Sequence, residues 1–226
     1  MKINLSAITQ PVVESSAGVR MTADEFLVYC ARVSSPQNQL NVGTSERLLA
    51  YCIRNNHWSI FEQVSMTLEI VTSRAISAQI IRHRSFAFQE FSQRYAPVTA
   101  FEPVELRKKG ATNRQSSLEV FDPPVTPPDK CVALPASDWV REFLVEAEML
   151  YNALLEAEVA PECARMILPL CAQTTIYMTG SVRSWIHYLK QRTDEHAQKE
   201  HRLLAEEAKR IFTHNFPITA GALAFV

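Results

Sequence analysis

Residues 61–70 change the spacing of apolar side chains from the helical repeat to strict alternation. Polar and apolar side chains take turns in the order Gln63, Val64, Ser65, Met66, Thr67, Leu68, Glu69 and Ile70. A period of two places one apolar row on one face of an extended segment, so this stretch is predicted to be a half-buried β-strand. Because the segments on both sides have the helical repeat, the chain is predicted to have an α+β fold.

Helices are predicted over most of the remaining chain. Thr22 and Glu25 form a capping box, and Ser137 precedes a long apolar stripe with helical spacing. The predicted helices run from Thr22 to about Ser34, from Thr44 to about Asn55, from Ser73 to Arg82-His83-Arg84, from Ser137 to about Glu158, from Pro161 to before Pro169, and over 181–192 and 195–213, with a further strand at Thr174–Met178. The stripe after Ser137 consists of Val140, Phe143, Leu144, Ala147, Leu150, Tyr151 and Leu154. Such a stripe is typical of a helix that packs against a core.

Residues 97–136 have no regular pattern. This stretch holds Pro97, Pro103, Pro123, Pro124, Pro127, Pro128 and Pro135 out of twelve prolines in the chain. A long irregular segment in a compact domain is usually functional or disordered, so we expect a partly mobile surface excursion that covers a site. The sequence has no internal repeat and no long linker, and residues 1–226 are therefore predicted to form a single domain.

Composition limits the classes of partner. The 226 residues include 23 basic and 24 acidic side chains, with a net charge of −1. A general nucleic-acid binder has a basic excess, so no nucleic-acid partner is expected. Apolar runs are too short for a membrane span and the N-terminus lacks a signal-peptide core, which predicts a cytoplasmic protein without a membrane partner. The chain has five cysteines, which is an odd number, and no CxxC pair. We therefore expect all of them to be reduced thiols.

Glycine is scarce, with five in the whole chain. No GxGxxG or Walker-type loop can be formed from them. If the protein binds a nucleotide, its phosphates must be held by side chains and helix ends.

Arg82-His83-Arg84 is the strongest candidate for such a site. Three adjacent side chains that are or become cationic repel one another, and a bound anion is the simplest reason to keep them together. A solvated basic patch is the alternative, and the helix dipole accounts for one or two of the cations but not for three. Aromatic and hydrogen-bonding residues are interleaved over 86–93, which indicates a lined pocket.

Three further arginines lie where their charge needs an explanation. Arg165 stands in an apolar run, and its structural alternative is a salt bridge with Glu162 or another acid. Arg183 and His187 lie one turn apart on a polar face of helix 181–192. Arg192 ends that helix, where the dipole favours a cation, so a purely structural role stays open for it.

The segment RHRSFAFQEFSQRY, residues 82–95, resembles the signature of the flavin-dependent thymidylate synthases (the ThyX family). That signature is RHR, seven variable residues and a serine, here Ser92, and Arg94-Tyr95 follows as it usually does. Four other blocks resemble the same family in the expected order: ARVS at 31–34, HWSIFEQ at 57–63, ECARMILPL at 162–170 and RSWIHYLKQRTDEHAQ at 183–198. The chain departs from the family at Ser181 and His187, where members often carry Asn.

Carried over residue by residue, the resemblance implies two ligand sites. The residues implied to bind FAD are Ser34, Ser59, Glu62, Arg82, His83, Arg84, Glu90, Ser181, Val182, Arg183 and His187. The residues implied to bind dUMP are Gln79, Arg82, Glu90, Phe91, Ser92, Gln93, Arg94, Arg165 and Arg192. Arg192 is also the candidate catalytic residue, because an arginine beside the uracil ring stabilises negative charge as C5 becomes nucleophilic. No metal ligand is expected.

The resemblance implies a methyltransferase that converts dUMP to dTMP. The carbon donor would be 5,10-methylenetetrahydrofolate and the reductant NADPH, with hydride passing through reduced FAD. It further implies a homotetramer with sites shared between subunits, and a twisted, mainly antiparallel sheet packed with helices. Ser92 is implied to be a dUMP ligand and not a nucleophile, since no histidine–acid pair is evident beside it.

Alternatives from the residues alone are a phosphoesterase that uses His83 and the arginines, and a nucleotide- or RNA-binding module that stacks bases on the aromatic residues. A metal site at His196 and His201 is disfavoured, because two histidines five residues apart on a helix point in different directions. His201 and His214 are therefore expected at the surface, whereas His57 and His196 are expected near the active site through the resemblance alone.

Overall fold

The alternating segment forms part of a four-stranded sheet. The computed structural model, which describes residues 1–98, 100–111 and 117–225, has strands β1 (Lys2–Ile8), β2 (Ser65–Ser73), β3 (Ala87–Glu90) and β8 (Gln173–Ser181) in the order β1-β2-β8-β3. Met66, Leu68 and Ile70 of β2 are buried, and the residues between them are more exposed. The half-buried strand predicted from the period of two is confirmed.

Hydrogen bonds between β2 and β8 show that the two strands are antiparallel. Thr67 and Thr179 are joined through their hydroxyl oxygens at 2.9 Å. The Tyr177 hydroxyl donates to Glu69 Oε2 at 2.7 Å. Residue numbers therefore rise along β2 as they fall along β8, which is the antiparallel register. A mixed fold of helices and antiparallel strands is the α+β class that the sequence predicts.

The chain divides into two compact units. The first unit comprises Met1, Val71–Gln79 and Glu90–Thr175. The second unit comprises Lys2–Ile70, Ile80–Gln89 and Ile176–Val226.

The second unit contains the predicted N-terminal and C-terminal helices. They are α1 (Ala23–Ala31), α2 (Ser45–Arg54), α6 (Val182–Arg192) and α7 (Lys199–Asn215). A further short helix in this unit, α8 (Pro217–Ala222), is not predicted from the sequence. The capping box of α1 forms as predicted, because Thr22 Oγ1 accepts the Glu25 N–H at 3.2 Å and Glu25 Oε2 accepts the Thr22 N–H at 2.8 Å. The buried Trp185 indole donates to the Met66 carbonyl at 3.0 Å and fixes α6 on β2.

The first unit contains most of α3 (Arg74–Ile80) together with α4 (Ala136–Glu156) and α5 (Pro161–Ala164). Ser73 caps α3 as predicted, with its Oγ accepting the Ile76 N–H at 3.3 Å. Two antiparallel pairs lie in the stretch predicted to be irregular: β4 (Arg107–Lys109) with β5 (Ser117–Val120), and β6 (Pro124–Val125) with β7 (Leu134–Pro135). Residues 99 and 112–116 of this stretch lie outside the described residues.

The helix predicted over 195–213 begins later than its sequence suggests. It starts at Lys199. Asp194 Oδ1 accepts the backbone N–H of His196 at 2.9 Å and is bonded to its ring Nδ1 at 2.8 Å. Such a local contact between a side chain and the backbone competes with the helix and delays its first turn.

The position of α4 is predicted correctly, but the burial of its apolar stripe is not. Ala147 and Tyr151 of the stripe are buried, whereas Phe143 is 54% and Leu150 53% exposed. The helical repeat shows that one face is apolar and does not show what covers that face. Although α4 has 21 residues, none of the helices in the described ranges has both the length and the apolar character needed to cross a membrane.

Candidate active site

Polar residues in the second unit gather around Glu62 at the N-terminal end of α6. Arg183 Nη1 donates to Glu62 Oε1 at 2.9 Å. Ser181 caps the helix, with its Oγ accepting the Ser184 N–H at 3.3 Å. A hydrogen bond from Ser181 first, and the Arg183 guanidinium after it, lower the pKa of Glu62. Glu62, Ser181 and Arg183, all predicted to bind FAD, are therefore brought together with Glu62 ionised.

An aromatic pair lies one turn further along α6. The ring centroids of His187 and Trp58 are 4.8 Å apart. Burial first, and then the nearby charges of Arg183 and Lys190, lower the pKa of His187. The imidazole is therefore uncharged at neutral pH, and with Trp58 it forms a ring surface next to the Glu62 group.

The other predicted FAD residues of the second unit are spread more widely. Ser34 is exposed after the end of α1, and Ser59 is exposed in a short 3-10 helix, Trp58–Glu62. Val182 is fully buried, and its N–H donates to the Val64 carbonyl at 2.8 Å. The Val182 side chain therefore belongs to the core.

The RHR triplet forms a turn between α3 and β3. Arg82 and Arg84 are exposed, and neither has a hydrogen bond or ion pair to any residue that the structure describes. The Ser184 hydroxyl donates to the Ser85 carbonyl at 3.1 Å, which ties the turn to α6. Phe86 packs edge-on against Trp185, with ring centroids 4.9 Å apart. Two unpaired guanidinium groups on an anchored turn are available to an anion.

His83 points away from its two neighbours and contacts α6. Its Nε2 accepts a hydrogen bond from Arg192 Nε at 2.9 Å. The ring lies edge-on to Tyr188, with centroids 4.9 Å apart. Burial first, and then Arg192, lower the pKa of His83 to about 4. The imidazole is therefore neutral at pH 7, with its proton on Nδ1, and Arg192 keeps its other guanidinium nitrogens for a ligand.

His201 was expected at the surface and is instead fully buried. Its Nε2 is hydrogen-bonded to the Tyr188 hydroxyl at 3.1 Å. Burial first, with Arg192 and His83 adding to it, lowers the pKa of His201 to about 3. The expectation failed because α7 turns this position inward, toward α6, while His214 of the same helix is exposed as expected.

Glu90 is the centre of a second polar group, which lies wholly in the first unit. A single carboxylate oxygen, Oε1, is ion-paired with Arg74 Nη1 at 2.6 Å and accepts hydrogen bonds from Ser77 Oγ at 2.6 Å and from Thr174 Oγ1 at 3.0 Å. Arg74 also donates through Nη2 to Gln93 Oε1 at 3.3 Å. Two residues predicted to bind dUMP, Glu90 and Gln93, are therefore joined through one guanidinium.

The residues after Glu90 leave the strand and form a turn. Phe91 extends the strand pairing, with its N–H donating to the Thr175 carbonyl at 2.8 Å. Ser92 Oγ accepts the Arg94 N–H at 3.4 Å. Arg94 Nε is paired with Glu162 at 3.0 Å, and both side chains are more than half exposed.

The Arg165 side chain has no hydrogen bond or ion pair with residues 1–98, 100–111 or 117–225. The salt bridge to Glu162 that was its structural alternative does not form, because Glu162 pairs with Arg94. Gln79 is half-buried near the end of α3. The predicted dUMP residues Gln79, Glu90–Arg94 and Arg165 lie in the first unit, and Arg82 and Arg192 in the second.

Comparison with known proteins decides the family. The model of the thymidylate synthase complementing protein family matches residues 19–218. The chain is 49% identical to a probable flavin-dependent thymidylate synthase of Paramecium bursaria Chlorella virus 1, over 100% of both chains. It is 46% identical to the flavin-dependent thymidylate synthase of Synechocystis sp., over 99% of both.

The chain belongs to the flavin-dependent thymidylate synthase family. Its fold is similar to that of a UMP/dUMP methylase from Streptomyces cacaoi, solved with bound 5-Br dUMP, with a TM-score of 0.75. That similarity covers 99% of this chain and 94% of the other at 24% identity, and it supports the fold alone. The family assignment disfavours the phosphoesterase and RNA-binding alternatives.

The donors of the second unit fit a flavin dinucleotide. FAD carries a diphosphate, and the unpaired Arg82 and Arg84 offer forked donors that match phosphate oxygens. The ring surface of Trp58 and His187, beside ionised Glu62, offers apolar and polar contacts for the remainder of the cofactor. No glycine-rich loop is needed for such a site.

Sequence reasoning missed Arg74, Ser77, Thr174 and Tyr188. Their contacts join residues that are far apart in the chain, as with Thr174 and Glu90, which are 84 positions apart. The serine and threonine positions carry no signal of their own. The one signal that the sequence offered was Arg74 itself, a cation that opens a helix, where the dipole disfavours it.

Proposed function

We propose that this chain is a flavin-dependent thymidylate synthase that methylates dUMP at C5 to give dTMP. The observation that carries the proposal is its similarity to flavin-dependent thymidylate synthases over the full length of the chain. Bound FAD supplies the hydride that completes the methyl group. The protein contributes by binding and orienting the reactants and by stabilising charge on the pyrimidine.

Arg192 is the residue to which we assign that stabilisation. Its Nε is committed to the neutral His83, so the rest of the guanidinium is held in a fixed plane. A preorganised donor beside the uracil ring stabilises the negative charge that develops as C5 attacks the methylene carbon. Because His83 accepts the hydrogen bond without a charge of its own, it leaves the full positive charge on Arg192.

The phosphate of dUMP is assigned to the arginines of the first unit. Arg165 is half-buried and unpaired within the described part of the chain. Arg94 is exposed and paired to an exposed carboxylate, an interaction of small net energy that a phosphate displaces readily. Ser92 and Gln93 add neutral hydrogen-bonding groups, and Glu90 adds an acceptor.

The cofactor is assigned to Ser34, Ser59, Glu62, Arg82, His83, Arg84, Glu90, Ser181, Val182, Arg183 and His187. Arg82→Ala and Arg84→Ala should each weaken FAD retention by about tenfold to a hundredfold, since each removes a charge-assisted contact. Both residues are exposed and unpaired, so thermal stability without FAD should stay close to wild type. Full flavin occupancy in both variants would contradict the assignment.

The reaction needs a carbon donor and a reductant, which we propose are 5,10-methylenetetrahydrofolate and NADPH. The methylene carbon would bond to C5 as the C5 hydrogen leaves as a proton, and its two bonds to folate nitrogens would break, which releases tetrahydrofolate. The hydride that completes the methyl group would come from NADPH by way of bound FAD. The products are dTMP, tetrahydrofolate and NADP⁺. The test is an assay of the purified, flavin-loaded protein with each component omitted in turn. Formation of dTMP that persists without the folate or without any reductant would overturn the proposal.

We further propose a cytoplasmic homotetramer with active sites shared between subunits. The apolar residues exposed on α4, among them Phe143 and Leu150, support an assembly that covers them. The free thiols of all five cysteines fit a reducing compartment.

A further inference from the structure

Arg74 occupies an unusual position for a cation. It is the first residue of α3, where the helix dipole disfavours positive charge, and its side chain is only 28% exposed. Its guanidinium contacts two residues assigned to the nucleotide, Glu90 through Nη1 and Gln93 through Nη2. A planar guanidinium with two fixed partners sets the relative orientation of those two side chains, and its positive charge balances the negative charge of Glu90.

The contacts of Glu90 are all on one side of its carboxylate. Arg74 Nη1 is ion-paired with Oε1 at 2.6 Å, and Ser77 and Thr174 donate hydrogen bonds to the same oxygen at 2.6 and 3.0 Å. Ser77 and Thr174 are themselves buried. Oε2 accepts no hydrogen bond from any of the described residues. One oxygen is therefore saturated by donors, and the other remains an acceptor.

Gln93 is oriented by the same guanidinium. It is 5% exposed, and its Oε1 faces Arg74 Nη2. The amide nitrogen Nε2, which has no partner in the part of the chain that the structure describes, is the end that can donate to a ligand. Arg74 thus leaves one carboxylate acceptor and one amide donor uncommitted.

We infer that Arg74 is a positioning residue for nucleotide binding, which with Ser77 and Thr174 holds Glu90 by Oε1 and leaves Glu90 Oε2 and Gln93 Nε2 to contact dUMP. The inference rests on the proposed function, because it takes dUMP as the ligand of Glu90 and Gln93. Arg74 itself touches no ligand in this scheme and acts through its two partners.

The test compares dUMP binding and turnover in a set of variants of the flavin-loaded, full-length enzyme. Arg74→Met should raise both the Kd and the KM for dUMP by about tenfold to a hundredfold, the effect of losing a hydrogen bond that involves charge. The rate at which NADPH reduces the flavin should change by less than about threefold. Arg74→Lys should recover only part of the affinity, because an ammonium cannot hold both partners in one plane. Ser77→Ala should give a smaller loss in the same direction.

Gln173→Met is the matched control. Gln173 precedes Thr174 on the same strand and is partly buried, but its side chain donates to Glu102 at 2.9 Å and not to Glu90. This variant also loses one hydrogen bond, and it should keep the wild-type KM for dUMP. An equal rise in KM for Gln173→Met would show general damage to the strand and overturn the inference.

A double variant separates positioning from a structural role. If Arg74 acts through Glu90, Arg74→Met should cost far less dUMP affinity in the Glu90→Gln background than in the wild type. If the losses of dUMP affinity in the two single variants multiply in the double variant, the residues act independently and the inference is overturned. Wild-type dUMP affinity in Arg74→Met would overturn it as well. A wild-type enzyme that neither binds nor methylates dUMP would overturn the proposed function itself. If Arg74→Met does not fold, the Lys and Ser77→Ala variants carry the same comparison.

Discussion

A guanidinium fixed at one nitrogen presents its other donors in a set direction, and Arg192 is fixed in this way by His83. Arg192→Lys should lower the rate of C5 hydrogen release from dUMP by about a hundredfold to a thousandfold, the usual cost of one preorganised donor. The rate of flavin reduction by NADPH should fall much less. Single-turnover measurements of the two half-reactions provide the check. If Arg192→Lys impaired both half-reactions equally, the catalytic role of Arg192 would be contradicted, and its role would be that of a cation at the end of a helix.

A second residue-scale prediction concerns pH. His201 is fully buried, and burial lowers its pKa from the ordinary value of 6.5 to about 3. Between these values the unfolded state binds more protons, so stability is lost as the pH falls. From pH 7 to pH 4.5 this group should cost about 2 kcal/mol.

His201→Gln should therefore flatten the dependence of stability on pH. Urea unfolding of wild type and variant at pH 7 and pH 4.5 measures the difference. His214→Gln is the control, since His214 lies on the same helix but is exposed. The same loss of stability on acidification in wild type and His201→Gln would exclude His201 as the source.

At the scale of elements, the junction between the RHR turn and β8 depends on one glycine. A Cβ at Gly180 would overlap Phe86 Cδ1. Gly180→Ala should destabilise the protein by about 1–3 kcal/mol, as overpacking of a core does. Because Phe86 directly follows the RHR turn and Ser85, FAD retention should fall as well.

The check is denaturant unfolding of Gly180→Ala beside Gly43→Ala. The alanine methyl at position 43 meets only Asn41 Oδ1, at an ordinary 3.5 Å. Phe86→Leu should recover part of the lost stability by giving the methyl room. A Gly180→Ala variant as stable as Gly43→Ala would contradict the packing at this junction.

Local signals explain which elements could be predicted from the sequence. The capping box of α1, the apolar faces of α2 and α6 and the alternation of β2 all lie within about ten residues of chain. Strand β1 lacks such a signal, because Ile3 is its one buried residue. Strand β3 has only four residues, and α8 has six. The RHR motif predicts a nucleotide site, but the tertiary contacts of Arg74, Ser77 and Thr174 are not revealed by spacing in the sequence.

At the scale of the whole molecule, α4 provides the test of assembly. Phe143→Glu places a charge on the exposed apolar stripe and should weaken a subunit interface by about tenfold or more. Asn152→Glu adds the same charge on the opposite side of the helix and serves as the control. Light scattering coupled to gel filtration gives the mass of each species. A single mass shared by wild type, Phe143→Glu and Asn152→Glu would exclude this stripe from the interface.

The contact between Gly180 and Phe86 also constrains how the sequence can evolve. While the Phe86 ring is present, selection removes almost any substitution of Gly180. Once the ring is lost, Gly180 can be replaced. The order of substitution is therefore fixed, because Phe86 must be replaced by a smaller residue before Gly180 can be replaced by a larger one. Among relatives the two positions should covary, and lineages that keep phenylalanine should keep glycine.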